Sequence, residues 1–261
     1  MLPTFVISLP EATDRRTRLT KIFEDLGLEF EFIDAVDGRQ FDVLNHPNYA
    51  PSQRLRYFGK HITGGEIGCL LSHKNIYQKM INENINRALI FEDDVIIHDG
   101  FLKTLREIQT ISVPFDMIRF LSSPKLERLN LRNVYKFKNG RYLVRHTGMP
   151  GGAHATLITL NGAKKLIKHL DKTPFPIDAL MGRNWLTGIN WYTVRPGLVA
   201  QDRDIESMIG DDIRFDNKKD IKGIAKITYP FTRAWFKLGE TVGKKYWYLK
   251  TYFKDKRYGN I

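Results

Sequence analysis

The chain has 261 residues, of which 42% are hydrophobic and 12% aromatic, a composition typical of a folded globular protein with its own core. A single cysteine excludes an intramolecular disulfide, and no run of about 20 apolar residues is present that could span a bilayer. The net charge of +12 is unevenly placed: residues 218–261 hold 12 Lys or Arg against three acidic residues, a local balance of +9.

Strand and helix patterns alternate along the first half of the chain, which predicts an α/β fold whose mostly parallel central sheet is flanked by helices. Residues 39–62 read as a polar loop, and residues 122–140 as loops or a hairpin. In chain order, we predict strands at 4–9, 29–36, 88–91, 115–121, 142–146, 153–159 and 191–195. Predicted helices cover 14–26, a segment opened by 64–65, 100–110, 161–170 and a segment introduced by 175–178.

An apolar strand, Ala88–Phe91, runs directly into Glu92, Asp93 and Asp94. Burying an uncompensated carboxylate costs several kcal/mol, and adjacent like charges add to that cost. A hard divalent cation with oxygen ligands is the usual compensation, and ligands of open α/β sheets lie at the carboxyl ends of strands. An exposed acidic turn is the alternative.

Several common catalytic signatures are missing from the sequence. It contains neither G-x-G-x-x-G nor a P-loop, no Cys/His array for zinc and no G-x-S-x-G elbow. A cation site at a sheet edge without a P-loop suits an enzyme that uses sugar nucleotides. A nucleotidyltransferase would usually carry a glycine-rich loop after the first strand, and Ser8-Leu-Pro-Glu-Ala12 lacks those glycines.

The basic C-terminal segment, residues 218–261, is interleaved with aromatic residues and is predicted to be a helical tail separate from a catalytic domain at 1–217. Clustered bases among Trp, Tyr and Phe are typical of a segment that lies on an anionic membrane. The same features would suit packing on the domain or a nucleic-acid surface.

Seven motifs occur in order over roughly residues 3–205. They are Val6-Ile-Ser-Leu9, Phe32-Ile-Asp-Ala-Val-Asp-Gly38, Gly65-Glu-Ile-Gly-Cys-Leu-Leu-Ser-His73, Leu89-Ile-Phe-Glu-Asp-Asp-Val95, Ala155-Thr-Leu-Ile-Thr159, Pro176-Ile-Asp178 and Arg195-Pro-Gly-Leu-Val-Ala-Gln201. The ordered set resembles glycosyltransferase family 25, the lipopolysaccharide or lipooligosaccharide sugar transferases of Gram-negative bacteria, to which collagen galactosyltransferases are related. The resemblance implies a GT-A-type fold and inverting transfer, with a divalent cation (Mn²⁺ or Mg²⁺), from a UDP-sugar, most often UDP-galactose. Thr156 stands where the family often has Tyr.

The resemblance implies that Asp94, and secondarily Asp93, contacts the cation or the donor. Contacts to the donor are predicted at strand ends, at the start of the first helix and beside the glycine-rich 147–152 segment. For each of these residues, an ordinary structural role is the alternative. These candidates are Arg15, Asp34, Asp37, Ser72, His73, His154 and Gln201.

Inverting transfer needs a base that removes the acceptor proton while the hydroxyl attacks from the face opposite UDP. Asp178, at a helix start after two prolines, is the first candidate, and a simple helix cap is its alternative. Asp202 and Asp204 are second candidates.

The predicted product is a β-linked hexose on a lipid-linked lipooligosaccharide or lipopolysaccharide acceptor. A UDP-glucose-dependent transferase and, in another class, a basic nucleic-acid-binding protein are the alternatives. The first strand begins by Thr4, which leaves no room for a signal peptide. We therefore expect a cytoplasmic protein, peripheral on the inner membrane through its tail and without a nucleic-acid partner.

Overall fold

The computed structural model describes residues 2–122, 130–202 and 219–261. The strands are β1 (Thr4–Ser8), β2 (Glu31–Asp34), β3 (Arg87–Glu92), β4 (Val95–Ile97), β5 (Met117–Arg119), β6 (Leu131–Lys136), β7 (Tyr142–His146), β8 (Ala155–Thr159), β9 (Trp191–Arg195) and β10 (Val199–Gln201). The helices are α1 (Thr13–Asp25), α2 (Pro51–Phe58), α3 (Gly64–Asn82), α4 (Phe101–Ile108), α5 (Leu160–Ile167), α6 (Ile177–Met181), α7 (Asn184–Thr187), α8 (Ala225–Lys250) and α9 (Tyr252–Tyr258).

Eight of the described strands form one sheet, in the order β2-β1-β3-β8-β5-β9-β7-β6. The pairings make β8 and β7 antiparallel to their neighbours, so the other six strands run in one direction. Strands β4 and β10 pair separately as a small antiparallel ribbon. The predicted α/β fold with a mostly parallel sheet and a helical C-terminal segment is confirmed.

The sheet is buried on both faces, and β3 shows why. Leu89 and Phe91 face a core that α1 and α4 complete, whereas Ala88 and Ile90 face a second core beneath α3, α5 and α6. All four side chains have 0% exposure. Each large apolar side chain buried in this way contributes about 1.5–3 kcal/mol. Strand β3 is therefore rigidly held, and so is the acidic turn that follows it.

Helix α3 packs closely against the loop that leaves β2. Its N-terminus is fixed by a capping box in which the Thr63 hydroxyl accepts from the Glu66 amide and the Glu66 carboxylate accepts from the Thr63 amide. A Cβ on Gly64 would lie 2.0 Å from the carbonyl oxygen of Gly38, and one on Gly68 would lie 2.3 Å from that of Val36. Glycine is required here because the backbones touch.

One predicted loop contains a helix. Within residues 39–62, α2 begins with Pro51 at its first turn and ends at Gly59, whose φ is +71°. Its aromatic residues pack at the edge of the core and against α8, where Tyr57 stacks on Phe236 with ring centroids 4.2 Å apart. A partner about 180 residues away in sequence leaves no strong local signal. In residues 122–140, the described part includes β6 and the turn that leads into its antiparallel partner β7.

The C-terminal helices pack on the domain through a buried charged cluster. Asp255 of α9 is 2% exposed and accepts hydrogen bonds from Arg145 (Nε–Oδ2 2.6 Å), from Arg132 and from the Tyr192 hydroxyl (2.8 Å). Burial alone would raise the pKa of Asp255, but the hydrogen bonds from Arg145 and Arg132 lower it. Packing on the domain, one of the three alternatives for this segment, is thus present. The proposed boundary near 217 stays a prediction.

Candidate active site

The carboxyl ends of β1, β2 and β3 meet at one edge of the sheet because these three strands are parallel. This edge gathers Ser8, Asp34 and Glu92, and the turn after Glu92 adds Asp93 and Asp94. We call Glu92, Asp93 and Asp94 the acidic corner.

Asp93 is already compensated by the protein. Its Oδ2 accepts a hydrogen bond from the Ser8 hydroxyl at 2.7 Å, and its Oδ1 forms an ion pair with Arg15 Nη1 at 3.0 Å. The side chains of Arg15 and Asp93 are 16% and 13% exposed, so the pair is largely shielded from solvent. The structure thus pairs Arg15 with Asp93, whereas the sequence predicted a separate contact for each, Arg15 with the donor and Asp93 with the cation or the donor.

Asp94 is only partly compensated. Its Oδ2 accepts from Gln201 Nε2 at 2.5 Å, while its Oδ1 is buried and has no hydrogen-bond partner among the described residues. Burial, followed by the charge of Glu92, raises the pKa of Asp94 from 3.8 to about 7. An oxygen that is buried, unpaired and close to other carboxylates fits a hard cation ligand.

Asp202 lies beside Asp94 rather than away from it. Its amide donates to the Asp94 carbonyl at 2.6 Å, and its Oδ2 lies 3.4 Å from Arg18 Nη1. Asp202 therefore lies next to the acidic corner, and its role as a base stays a prediction. Asp204 lies outside the described residues.

Glu92 points toward α3 and β8. Its Oε1 lies 3.5 Å from Cys69 Sγ and 3.7 Å from His73 Nε2, and its amide donates to the His154 carbonyl at 3.1 Å. Burial opposes the charge of Glu92, but the proximity of His73 outweighs it and the pKa of Glu92 is lowered.

His154 is buried beside this carboxylate. Its Nε2 contacts the Val199 carbonyl at 3.2 Å, and its Nδ1 has no partner among the described residues. Burial lowers the pKa of His154, which favours the neutral ring. A carbonyl only accepts, so the neutral ring carries its proton on Nε2 and offers a lone pair at Nδ1.

The remaining donor candidates occupy two different environments. Asp34 is exposed and pairs with Arg16 at 2.5 Å, and Asp37 is held by Arg39, whose hydrogen bonds lower the pKa of Asp37 to about 2. Ser72 is fully buried: its hydroxyl accepts from the Val36 amide at 2.9 Å and donates to the Gly68 carbonyl at 2.8 Å. Ser72 therefore holds α3 against the loop after β2, and its donor contact stays a prediction.

Asp178, the predicted base, begins α6 beneath the glycine-rich segment. Its Oδ2 accepts from the Gly152 amide at 3.0 Å and its Oδ1 from the Ala179 amide at 2.6 Å. The carboxylate is half-buried. Each oxygen keeps a second lone pair, so the carboxylate is oriented and can still accept a further hydrogen bond or a proton.

Arg119 was missed by the sequence reasoning. It is fully buried on β5, where its guanidinium donates to the carbonyls of Pro150 (2.9 Å) and Gly152. Because Gly152 in turn holds Asp178, Arg119 fixes the segment that orients the predicted base. The available signal was a lone Arg inside the apolar strand candidate 115–121.

A cavity of about 570 Å³ lies elsewhere, between α2, α7 and α8. None of its lining residues, which include Tyr57, Trp185 and Trp235, is among those predicted to bind the donor.

Most of the chain matches a known protein family. The family model described as Glycosyltransferase family 25 (LPS biosynthesis protein) matches residues 1–181. The chain belongs to glycosyltransferase family 25. This confirms the resemblance drawn from the motifs, and the matched region includes the whole acidic corner and Asp178.

Several relatives carry the same family name. A Glycosyltransferase 25 family member of Drosophila melanogaster is 30% identical over 187 residues, 68% of this chain. A Procollagen galactosyltransferase 1-A of Xenopus laevis is 26% identical over 177 residues, and a Probable inactive glycosyltransferase 25 family member 3 of Rattus norvegicus is 34% identical over 122. The alignments cover 29%, 27% and 21% of these relatives, so the chain spans less than a third of their length.

Among solved structures, a glycosyltransferase involved in the glycosylation of the major capsid of PBCV-1 matches 78% of this chain and 94% of its own. Its TM-score is 0.42 and its sequence identity 9%.

Proposed function

We propose that this member of family 25 is a metal-dependent hexosyltransferase that moves a hexose, galactose first, from UDP-hexose to a glycan hydroxyl with inversion to a β linkage. The observation that carries the proposal is the acidic corner, where Asp94 Oδ1 is buried without a partner in the part of the chain that the structure describes, while Asp93 is neutralised by Arg15. Family membership supplies the reaction class.

Asp94 would be the principal protein ligand of Mn²⁺ or Mg²⁺, with Asp93 as the second. When bound, such a cation neutralises charge that builds on the departing nucleoside diphosphate. Asp93 is held by Ser8 and Arg15, and Asp94 by Gln201, so both carboxylates are oriented before a ligand arrives.

The donor would lie across the ends of β1 and β2. The start of α1 brings Arg15 and Arg16 to this edge, where guanidinium groups suit phosphate oxygens. Asp34 and Asp37 are exposed there and would accept hydrogen bonds from ribose or uracil hydroxyl and amide groups.

Asp178 would act as the base. Its two backbone hydrogen bonds and the anchoring of Gly152 by Arg119 fix the carboxylate direction. A fixed carboxylate on the acceptor side would take the hydroxyl proton and favour the positive charge that develops on the sugar.

Galactose is preferred over glucose because a relative is named as a galactosyltransferase, and glucose remains the alternative donor sugar. The nucleic-acid alternative is disfavoured by the acidic corner, whose three carboxylates would repel phosphate unless a cation were bound.

The donor and cation can be tested together by thermal unfolding in the presence of UDP-galactose, UDP-glucose or UDP, each with and without Mn²⁺. A ligand at 100 times its Kd stabilises the folded state by about 2.7 kcal/mol, so the correct pair raises the melting temperature by several degrees. Asp94→Asn is the matched control and should lose the Mn²⁺-dependent part. Equal melting temperatures for wild type under all conditions would contradict the proposal.

We further propose that the acceptor is a lipid-linked lipooligosaccharide or lipopolysaccharide glycan, met on the cytoplasmic face of a bacterial inner membrane. No helix in the described residues has the length and apolar character to cross a bilayer, so the proposed contact is peripheral. The support comes from α8, whose two faces differ.

One face of α8 packs on the domain, where Glu240 pairs with Arg183 and the Tyr229 hydroxyl donates to the Phe58 carbonyl at 2.9 Å. The other face carries large apolar side chains spaced three or four residues apart, each 55–77% exposed. These are Ile227, Phe231, Trp235, Leu238, Val242, Tyr246 and Leu249. Lysines flank this apolar stripe, which is the pattern of an interfacial helix on anionic lipid.

Vesicle sedimentation tests this surface. Wild type should bind vesicles containing anionic phospholipid, and Phe231→Ser with Trp235→Ser should reduce binding at least tenfold, since burial of each ring contributes roughly 1.5–3 kcal/mol. Unchanged binding would contradict the docking face. These point variants are preferable to deleting the tail, because deletion would leave Arg145 buried without Asp255.

A further inference from the structure

Three side chains able to bind a metal meet where α3 passes the end of β3. Cys69 and His73 are four residues apart on α3 and so share one face of the helix, and Glu92 reaches them from β3. One ligand atom from each lies within 4.8 Å of the other two. The carboxylate oxygen is 3.5 Å from the sulfur and 3.7 Å from the imidazole Nε2.

The His73 ring is placed for a ligand that is not a protein group. The side chain is 0% exposed and its Nε2 has no hydrogen-bond partner in the described residues, since 3.7 Å to Glu92 is too long for one. Its Nδ1 lies 3.4 Å from the Tyr77 hydroxyl, which can accept the ring proton. Leaving a buried polar atom unpaired costs about 1–3 kcal/mol, so the unpartnered Nε2 indicates a partner from outside the described residues.

We propose that Cys69, His73 and Glu92 bind one divalent cation of the zinc class, at a site separate from the Asp93–Asp94 cation site. Tetrahedral zinc takes thiolate at about 2.3 Å and imidazole or carboxylate at about 2.0–2.2 Å, which sets its ligands roughly 3.3–3.8 Å apart. The two measured separations from Glu92 lie in this range.

The donor set also discriminates between ions. Mg²⁺ and Mn²⁺ favour oxygen ligands, whereas a thiolate and an imidazole favour Zn²⁺ and Co²⁺. On binding, the Cys69 thiol loses its proton to solvent and forms a sulfur–metal bond. With three protein ligands, the fourth position is left for water. The ion would tie α3 to β3 immediately behind the acidic corner.

The single cysteine makes a direct spectroscopic test possible. After chelator treatment, the full-length protein is titrated with Co²⁺, and a thiolate-to-cobalt absorption band can only arise from Cys69. We expect the band to saturate at one Co²⁺ per chain and to disappear when Zn²⁺ is added. Competition with a chromophoric chelator then gives the Zn²⁺ affinity.

Variants separate this site from its surroundings. Cys69→Ser should abolish the band, and His73→Asn and Glu92→Gln should each weaken Zn²⁺ binding at least tenfold, with folding checked by circular dichroism. His98→Asn, on an exposed histidine, and Asp94→Asn should keep the band. No band in wild type, or a band that survives both His73→Asn and Glu92→Gln, overturns the proposal. Either result leaves the transferase proposal standing, because that one rests on Asp94.

Discussion

Asp94 and Asp255 are both buried carboxylates, but the protein treats them in opposite ways. Asp255 receives hydrogen bonds from two guanidinium groups and a tyrosine, and its pKa is lowered. Asp94 accepts a hydrogen bond from one side-chain amide, keeps one oxygen without a partner in the described ranges, and has its pKa raised to about 7. The surroundings of Asp255 neutralise its charge within the fold, whereas those of Asp94 leave one carboxylate oxygen available to a ligand. We therefore expect their removal to have opposite effects.

Asp94→Asn should give the largest loss of activity, about a thousandfold or more, because cation stabilisation of a leaving group is worth several kcal/mol. It should also raise the free energy of unfolding at pH 8 by about 1–3 kcal/mol, since the cost of ionising a buried acid disappears. Initial rates of hexose transfer and urea unfolding measure the two effects.

Loss of stability together with loss of activity in Asp94→Asn would contradict the contrast with Asp255. Glu107→Gln, at an acid that contacts Tyr135 and Lys138 away from the corner, is a suitable control for the activity assay.

Asp255→Asn should have the largest effect on folding, a loss of about 3–5 kcal/mol, because Arg145 would remain buried without its partner. The midpoint of urea unfolding should fall, while transfer per folded molecule stays within a fewfold of wild type. A variant as stable as wild type would mean that the cluster contributes little.

The sequence correctly placed Glu92, Asp93 and Asp94 at the end of a buried strand, because a four-residue apolar run predicts such a strand; the cation site stays a prediction. It also predicted β7 and β9 with their observed bounds, since each apolar run is bounded by turn residues. It could not predict α2 or the Asp255 cluster, because both depend on contacts between residues more than 100 positions apart. Likewise, the pattern at Ser72 could not show that its hydroxyl is engaged by the backbone.

Asp178 is intermediate between Asp94 and Asp255. Both of its carboxylate oxygens accept a hydrogen bond from a backbone amide, but the side chain is half-buried and each oxygen keeps a free lone pair. Asp178→Asn should reduce transfer by about a hundredfold or more, the usual contribution of a general base, and leave UDP affinity within a fewfold of wild type. Calorimetry with UDP and Mn²⁺, beside the transfer assay, separates the two. Full activity would leave Asp178 only the structural role of holding the Gly152 amide.

The smallest effect is a pair of opposing pH dependences. Between pH 3.8 and about 7, folded Asp94 binds more protons than unfolded, so its contribution lowers stability as pH rises. Burial, followed by the charges of Arg195 and Arg119, lowers the pKa of His146 from 6.5 to about 4, so in that window the unfolded state binds more protons and stability rises with pH. Each slope reaches at most about 1.4 kcal/mol per pH unit, and in wild type the two largely cancel.

Urea unfolding from pH 4.5 to 7.5 separates the two contributions. Relative to wild type, the free energy of unfolding of Asp94→Asn should increase as pH rises, and that of His146→Gln should increase as pH falls. If both differences are flat, neither side chain titrates in the folded protein as its burial requires.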